Sequence, residues 1–460
     1  MKLTFYGGAM SVTGANYLLE FKAGGKDLRV LVDCGLFQGS KFVEGLNYAP
    51  FGYDASTIDY LFITHSHADH VGRVPKLYKE GFRGKIYVVE PTRNLMLRAL
   101  PDSWNHIAEE AKSDGHPPLY ELGEVDAALD LIETVKYHQS LPLAPGVTAT
   151  YYNSGHVLGS GIICFEYEEE GERRKIYFTG DLGNSPSLLL PDKEFVEDAD
   201  YVVIDSAYGS RTHEDKDSRS QIFRQVLEHV VKSKGTMLVP SFAIERTQEI
   251  LFELHQLFQN ESVPMMPVFI DSPLAHKMTE VYNHYQHYLN ENARSHFLSE
   301  GRSIFDFSCL RFTDAVEQSK SINAVEPPKV IIAGSGMSVG GRILHHERRY
   351  LSDPRNAIVF VGYQVEGSLG RKILEGAKEV SIFGEMVPVR CLVKGIGGYS
   401  AHADQPALVD WITQANKAGK LKKVFMVQGE ENSGKALADI VKNKLKVEAI
   451  VPIQDQQFDL

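Results

Sequence analysis

Short apolar runs broken by tight turns fill residues 1–63, and this pattern predicts a series of β-strands. Gly7-Gly8 and Gly14-Ala15-Asn16 punctuate a first hairpin, and residues 23–27 form a turn ahead of the strand Leu28-Arg29-Val30-Leu31-Val32. The run Tyr60-Leu61-Phe62-Ile63 predicts a buried strand, after which Val71, Val74, Leu77 and Tyr78 recur at helical spacing. Further strands are predicted at 85–89, 147–152, 162–167, 175–178 and 200–204, with a helix from 90 to 100 and mostly helical, polar sequence over 101–140. From about residue 211 the texture changes. Helices at 218–232, 246–258 and 341–350 alternate with strands at 236–240, 268–270, 329–333 and 357–361, which implies a mostly parallel sheet. Near 390 the first texture resumes. The chain therefore reads as one domain, residues 1–207 with 391–460, interrupted by an α/β domain at 208–390.

A length of 460 residues suggests two or three domains, and 43% hydrophobic with 23% charged residues is ordinary for a globular chain. No apolar run reaches 18 residues and Met1–Phe5 leads directly into a strand pattern, so neither a transmembrane span nor a signal peptide is expected. Cys34, Cys164, Cys309 and Cys391 lie far apart with no C-x-x-C pair, which excludes a disulfide framework and a thiolate zinc site and fits a cytoplasmic protein. A net charge of −12 weighs against a nucleic-acid binder, but bound divalent cations supply positive charge that residue counting omits.

The polar cluster His65-Ser66-His67-Ala68-Asp69-His70 sits where the strand at 60–63 ends and a helix begins. His65, His67 and Asp69 share one side of an extended segment, and His70 opens the helix toward the same point. One tetrahedral ion cannot use four such ligands, whereas two adjacent ions can share them. Asp33 ends a strand, placed to orient a ligating histidine. His156 lies between Gly155 and Gly159, and two later strands deliver Asp181 and Asp205. Strands that each end in His or Asp build a site along one rim of a sheet. In the α/β region, Gly334-Ser335-Gly336 between a strand and a helix offers backbone N–H groups to an anion, with Arg342 close behind. The lone His106, His116 and His138 read as ordinary histidines, the Tyr282, Tyr285 and Tyr288 stripe as core packing, and His345-His346 as a solvated face.

Taken in order, Asp33, His65-x-His67-x-Asp69-His70, His156 and Asp181 resemble the metallo-β-lactamase superfamily. Asp205 in D-S-A-Y-G-S-R-x-H, the α/β insert and Ser400-Ala401-His402 resemble its β-CASP branch of RNA-processing nucleases. Pro240-Ser241-Phe242-Ala243, Arg246-Thr247-Gln248-Glu249 and Gly340-Gly341-Arg342 resemble its prokaryotic members, without an RNA-binding KH extension ahead of residue 1. The resemblance implies an αββα sandwich with an inserted α/β β-CASP domain acting as a lid. It implies two Zn2+ ions, one held by His65, His67 and His156, the other by Asp69 and His70, with Asp181 bridging. A shared hydroxide would attack phosphorus, with Asp69, Asp205 and His402 as catalytic groups, His402 protonating the leaving 3′ oxygen and Asp205 orienting it. Ser335, Arg342 and Arg246 would contact substrate, and 5′-phosphate and 3′-hydroxyl ends would result. RNA is the expected partner, with no membrane and with a homodimer as the candidate assembly.

Two positions depart from the resemblance, a smaller one at Glu245, where relatives often have Gly, and the one that matters in the last motif. The family's V-H-G-E motif reads Val427-Gln428-Gly429-Glu430 here, so an amide oxygen replaces an imidazole at the second zinc and binds it more weakly. That change keeps two alternatives in view, a DNA nuclease of the same machinery and a catalytically weak or inactive RNA-binding subunit. A small-molecule hydrolase shares the H-x-H-x-D-H core but has no use for an insert carrying Arg211, Arg246, Arg342 and Arg371.

Overall fold

The computed structural model describes residues 1–39, 41–169, 171–213, 216–300, 303–362, 364–365 and 367–460. Contacts divide the chain into two compact units, residues 1–212 with 402–460 and residues 213–401.

In the first unit two seven-stranded sheets lie face to face. One runs Gln457–Asp459, Lys2–Gly7, Asn16–Ala23, Lys26–Val32, Tyr60–Phe62, Lys85–Val89, Ile132–Val135. The other runs Glu448–Ile450, Lys423–Val427, Tyr201–Asp205, Glu172–Phe178, Gly161–Glu169, Val147–Asn153, Leu141–Ala144. Strand side chains alternate between faces, so Phe5, Tyr17, Phe21 and Phe62 of the first sheet meet Phe425, Phe178 and Phe165 of the second in an aromatic layer. The opposite faces are apolar as well. Leu18, Leu31, Leu61 and Ile86 pack with Val74, Leu77, Met96 and Leu100, and Val202, Ile204, Val424 and Met426 pack with Leu408, Trp411, Leu437 and Val441. Helices thus cover each outer face, giving an αββα order.

The second unit is built on a parallel six-stranded sheet, Leu310–Phe312, Val268–Asp271, Lys329–Ala333, Thr236–Pro240, Ala357–Phe360, Leu392–Gly395. A two-stranded hairpin, Glu379–Ile382 with Glu385–Pro388, stands beside it in sequence.

Three features differ from the sequence expectation. The helix that begins at Glu90 runs through Pro101 to Asp114 and stops at Gly115, whose φ of 79° ends it. Pro101 interrupts one backbone bond, but Leu95, Met96 and Leu100 are buried before it and Ala111 after it, so packing carries the helix across. The change of texture at 390 precedes a last strand of the second unit, Leu392–Gly395, which pairs with Ala357–Phe360. Four edge residues that include a lysine and a glycine give no alternating signal. His346 is buried against Asp271, at 2.7 Å from its carboxylate, rather than solvated.

Candidate metal centre

The loop that carries the histidines is held by backbone before any side chain acts. Ala15 N, Cys34 N and Leu36 N donate to the carbonyls of Asp69, His70 and Ala68. Gly35 is required there, because a Cβ at that position would lie 1.5 Å from the Asp69 carbonyl oxygen. Asp33 is fully buried and accepts from Thr64 N, Thr64 Oγ1 and His70 Nδ1, each at 2.8 Å. The proton on His70 is thereby fixed at Nδ1, and Nε2 faces the site. His156 is set by Ser160, whose Oγ accepts from the backbone N–H groups of His156 and Val157. Asp205 and Gln428 stand at the ends of paired parallel strands, and Asp181 follows the end of the next one.

Three ring nitrogens and a carboxylate oxygen converge. His65 Nε2 lies 3.0 Å from His67 Nδ1, and His67 Nδ1 lies 3.2 Å from His156 Nε2. Asp181 Oδ2 lies 3.3 Å from His156 Nε2 and 3.5 Å from His65 Nε2. Ligands at Zn–N distances of 2.0–2.1 Å form a tetrahedron with an edge of about 3.3 Å, so these four atoms fit one such ion. A single ring proton can bridge only one pair of these nitrogens, whereas a cation at the centre would satisfy all of them. Burial, His70, His67 and His156 hold His65 well below the usual histidine range against the opposing pull of Asp181, which keeps it a neutral ligand.

A second group is looser. His70 Nε2 lies 3.4 Å from Asp181 Oδ1, 3.8 Å from Asp69 Oδ2 and 2.6 Å from Gln428 Nε2, so the amide nitrogen rather than the expected oxygen faces His70. Asp181 Oδ1 is buried without a hydrogen-bond partner, an acceptor that a cation would satisfy. Burial, partly offset by His70, raises the Asp69 carboxyl to about 6 in the metal-free site. It is still mostly ionised at neutral pH, and added positive charge would favour that form further.

His402 enters beside this group. It pairs with Gly183 in an antiparallel bridge, and Ala403 N donates to Leu182 O. His402 Nδ1 lies 3.0 Å from Asp205 Oδ2 and 3.8 Å from Asp181 Oδ2. Asp205 is anchored in turn by Ala207 N, at 2.7 Å. The Tyr208 ring lies 6.0 Å from that of His402.

The second unit holds the other predicted residues, each with partners inside that unit. Arg342 Nη1 donates to Asp271 Oδ1 and Thr313 O, and Nη2 to Asp314 O. Arg246 is buried and donates to Glu249 and to the Tyr399 carbonyl. Ser335 Oγ accepts from Val339 N at 3.0 Å. Tyr282 and Tyr285 are buried, Tyr282 donating to Glu245. Sequence reasoning missed Thr64 and Ser160, which orient the ligands. A hydroxyl residue adjoining His65 and another four positions after His156 were the available signal.

Residues 18–180 match the metallo-beta-lactamase superfamily domain, 247–373 the Beta-Casp domain, and 386–452 the Zn-dependent metallo-hydrolase RNA specificity domain. Ribonuclease TTHA0252 of Thermus thermophilus is 38% identical over 441 residues, 96% of either chain. The chain belongs to the β-CASP branch of the metallo-β-lactamase superfamily. Transcription termination factor FttA of Methanosarcina mazei is 30% identical over 97% of this chain and 70% of its own. An RNase J-like protein of Methanocaldococcus jannaschii is 30% identical over 98% of both. The β-CASP branch implies a divalent metal, and the donor set of His65, His67, His156 and Asp181 is of the kind that binds one. Among the described residues no helix is long and apolar enough to cross a membrane.

Proposed function

We propose that this β-CASP protein is a metal-dependent endoribonuclease that hydrolyses RNA phosphodiester bonds with two zinc ions and leaves 5′-phosphate and 3′-hydroxyl ends. It is a hydrolase acting on phosphodiester bonds. The observation that carries the reading is the convergence of three imidazole nitrogens on Asp181 at tetrahedral spacing, with His402 and Asp205 beside them. Zinc bound there supplies a water that ionises near neutral pH and the positive charge that a polyanion needs on a chain of net charge −12.

The protein's own groups do the rest. His65, His67, His156 and Asp181 would hold one ion, and Asp69, His70, Asp181 and Gln428 would hold the other. In the metal-free site burial pulls His402 down, but Asp181 and Asp205 outweigh it and raise the imidazole to about 9. With Nδ1–H on Asp205, the Nε2 proton is available to the leaving 3′ oxygen. Tyr208 offers a face for a neighbouring base.

The test compares wild type, His67→Ala and Gln428→His on one end-labelled RNA and on DNA of equal sequence, with metal analysis of each protein. Wild type should cut RNA to 3′-hydroxyl ends and carry two zinc ions, and His67→Ala should lose both cleavage and metal. Equal cleavage by His67→Ala would refute the metal mechanism. Preference for DNA would reassign the substrate, and under one zinc with no cleavage would favour a binding subunit.

A further inference from the structure

Lys193, in the first unit, is 6% exposed and makes no ion pair among the described residues. Its Nζ donates to the Gly183 carbonyl at 3.0 Å and to Ser185 Oγ at 3.3 Å. Burial pulls the ammonium below its ordinary range, against the opposing fields of Asp192, Asp404 and Asp410. A cation taken out of water onto neutral acceptors costs stability, so what those acceptors belong to matters.

Gly183 belongs to the stretch that joins the metal ligands to the acid. Asp181, just before it, lies against His65, His70 and His156. Gly183 itself pairs with His402 in the antiparallel bridge, and Leu182 O accepts from Ala403 N at 2.7 Å. Residues 181–183 therefore set where the shared carboxylate stands relative to the imidazole that gives up a proton.

The packing leaves this stretch no side chain of its own at Gly183. A Cβ there would lie 2.0 Å from Gly155 O, and Gly183 N donates to Ser154 O at 2.8 Å, so the stretch rests on the loop of His156. A Cβ on Gly155 would in turn lie 2.7 Å from Lys193 N. Three backbone segments thus meet at two glycines, and the Lys193 ammonium ties the third segment to the second.

We infer that Lys193 is a positioning residue for His402: its ammonium pins the Gly183 carbonyl and so holds the paired stretch that keeps the imidazole against Asp181 and Asp205. The role rests on the reading of His402 as proton donor to the leaving oxygen. Bound metal would restrain Asp181 directly, so the loss of Lys193 falls on the histidine. Lys193→Met keeps the length of the stem and removes only the donor.

The experiment compares zinc-loaded wild type, Lys193→Met, Lys193→Gln, His402→Gln and the Lys193→Met/His402→Gln double variant on an end-labelled RNA and on bis(p-nitrophenyl) phosphate. Nitrophenolate leaves without a proton, whereas a 3′ alkoxide needs one, so the two substrates separate proton delivery from the other steps. Lys193→Met should cleave RNA about 10–100-fold more slowly and hydrolyse the nitrophenyl ester within about twofold of wild type. Lys193→Gln, which keeps an N–H donor, should lose less. In the His402→Gln background Lys193→Met should cost less than about twofold more, because the group it positions is gone. In the metal-free protein, exchange of the Ala403 amide hydrogen with solvent should quicken about tenfold in Lys193→Met. Equal losses on both substrates, full additivity in the double variant, or a wild-type RNA rate or Ala403 exchange rate in Lys193→Met overturns the inference. A His402→Gln variant that cleaves RNA as fast as wild type overturns the proton-donor reading instead.

Discussion

Replacing Asp33 with Asn changes one oxygen to NH2 at a residue that never touches the cation. Asn tolerates the left-handed backbone at this position, where φ is 60°, and matches Asp in volume, so no cavity and little strain follow. The Thr64 backbone N–H can only donate, which keeps the Asn oxygen on that side. The new NH2 then faces His70 Nδ1, where a carboxylate oxygen accepted at 2.8 Å. Two donors meet, and the ring responds by moving its proton to Nε2, the nitrogen turned toward Asp181 and Asp69. Loss of a hydrogen bond to a charged group costs about 1.5–3 kcal/mol. Loss of an outer partner of a ligating histidine weakens metal binding roughly 10–100-fold, a matching range. Chelator competition should show the second equivalent of zinc weakened by that factor, with the first, on His65, His67 and His156, within about threefold of wild type. RNA cleavage at limiting zinc should fall in parallel and recover when zinc is raised. Two equivalents bound at wild-type affinity would refute the assignment of Asp33 as the group that fixes His70.

His402→Gln should lower the single-turnover rate on RNA by about 10²–10⁴ while gel-shift affinity stays near wild type, since the side chain acts as a proton donor. Gly35→Ala should abolish metal binding, read by metal analysis, because the Asp69 carbonyl occupies the space a Cβ needs. Gln428→His should tighten the second zinc, measured by competition, and raise cleavage if that ion limits the rate. Glu347 is buried and accepts from Ser338, and burial raises its carboxyl from 4.5 to about 8. With the folded value raised, the stability it contributes is complete below about 4.5 and is lost as pH rises toward 8. Glu347→Gln should therefore melt like wild type at pH 4.5 and increasingly above it toward pH 8, by an amount on the order of several kcal/mol; parallel melting curves across that range would contradict the burial effect.

Much of the candidate site was legible because its spacing is local. A strand that ends in His65-x-His67 puts two imidazoles on one side whatever the rest of the chain does, and an apolar strand ending in Asp181 or Asp205 exposes a carboxylate at a sheet rim. The pairing of His402 with Asp205, 197 positions apart, was reachable only through the family resemblance. Arg342 and Arg246 show the converse. Both read as cations poised for phosphate, and nothing in the sequence marked the partners the fold supplies, Asp271 and two carbonyls for Arg342, Glu249 and the Tyr399 carbonyl for Arg246. His346 followed the same course, since its partner Asp271 lies 75 positions away.

By itself the sequence determined the strand and helix periods, the two textures of the chain, and the metal-ligand chemistry, because each depends on neighbours within a few residues. Tertiary structure alone decided which polar groups are satisfied. Burial makes every hydrogen bond a requirement, and the partners that meet it, Asp33 for His70, Thr64 for Asp33 and Asp271 for His346, come from segments far apart in the chain.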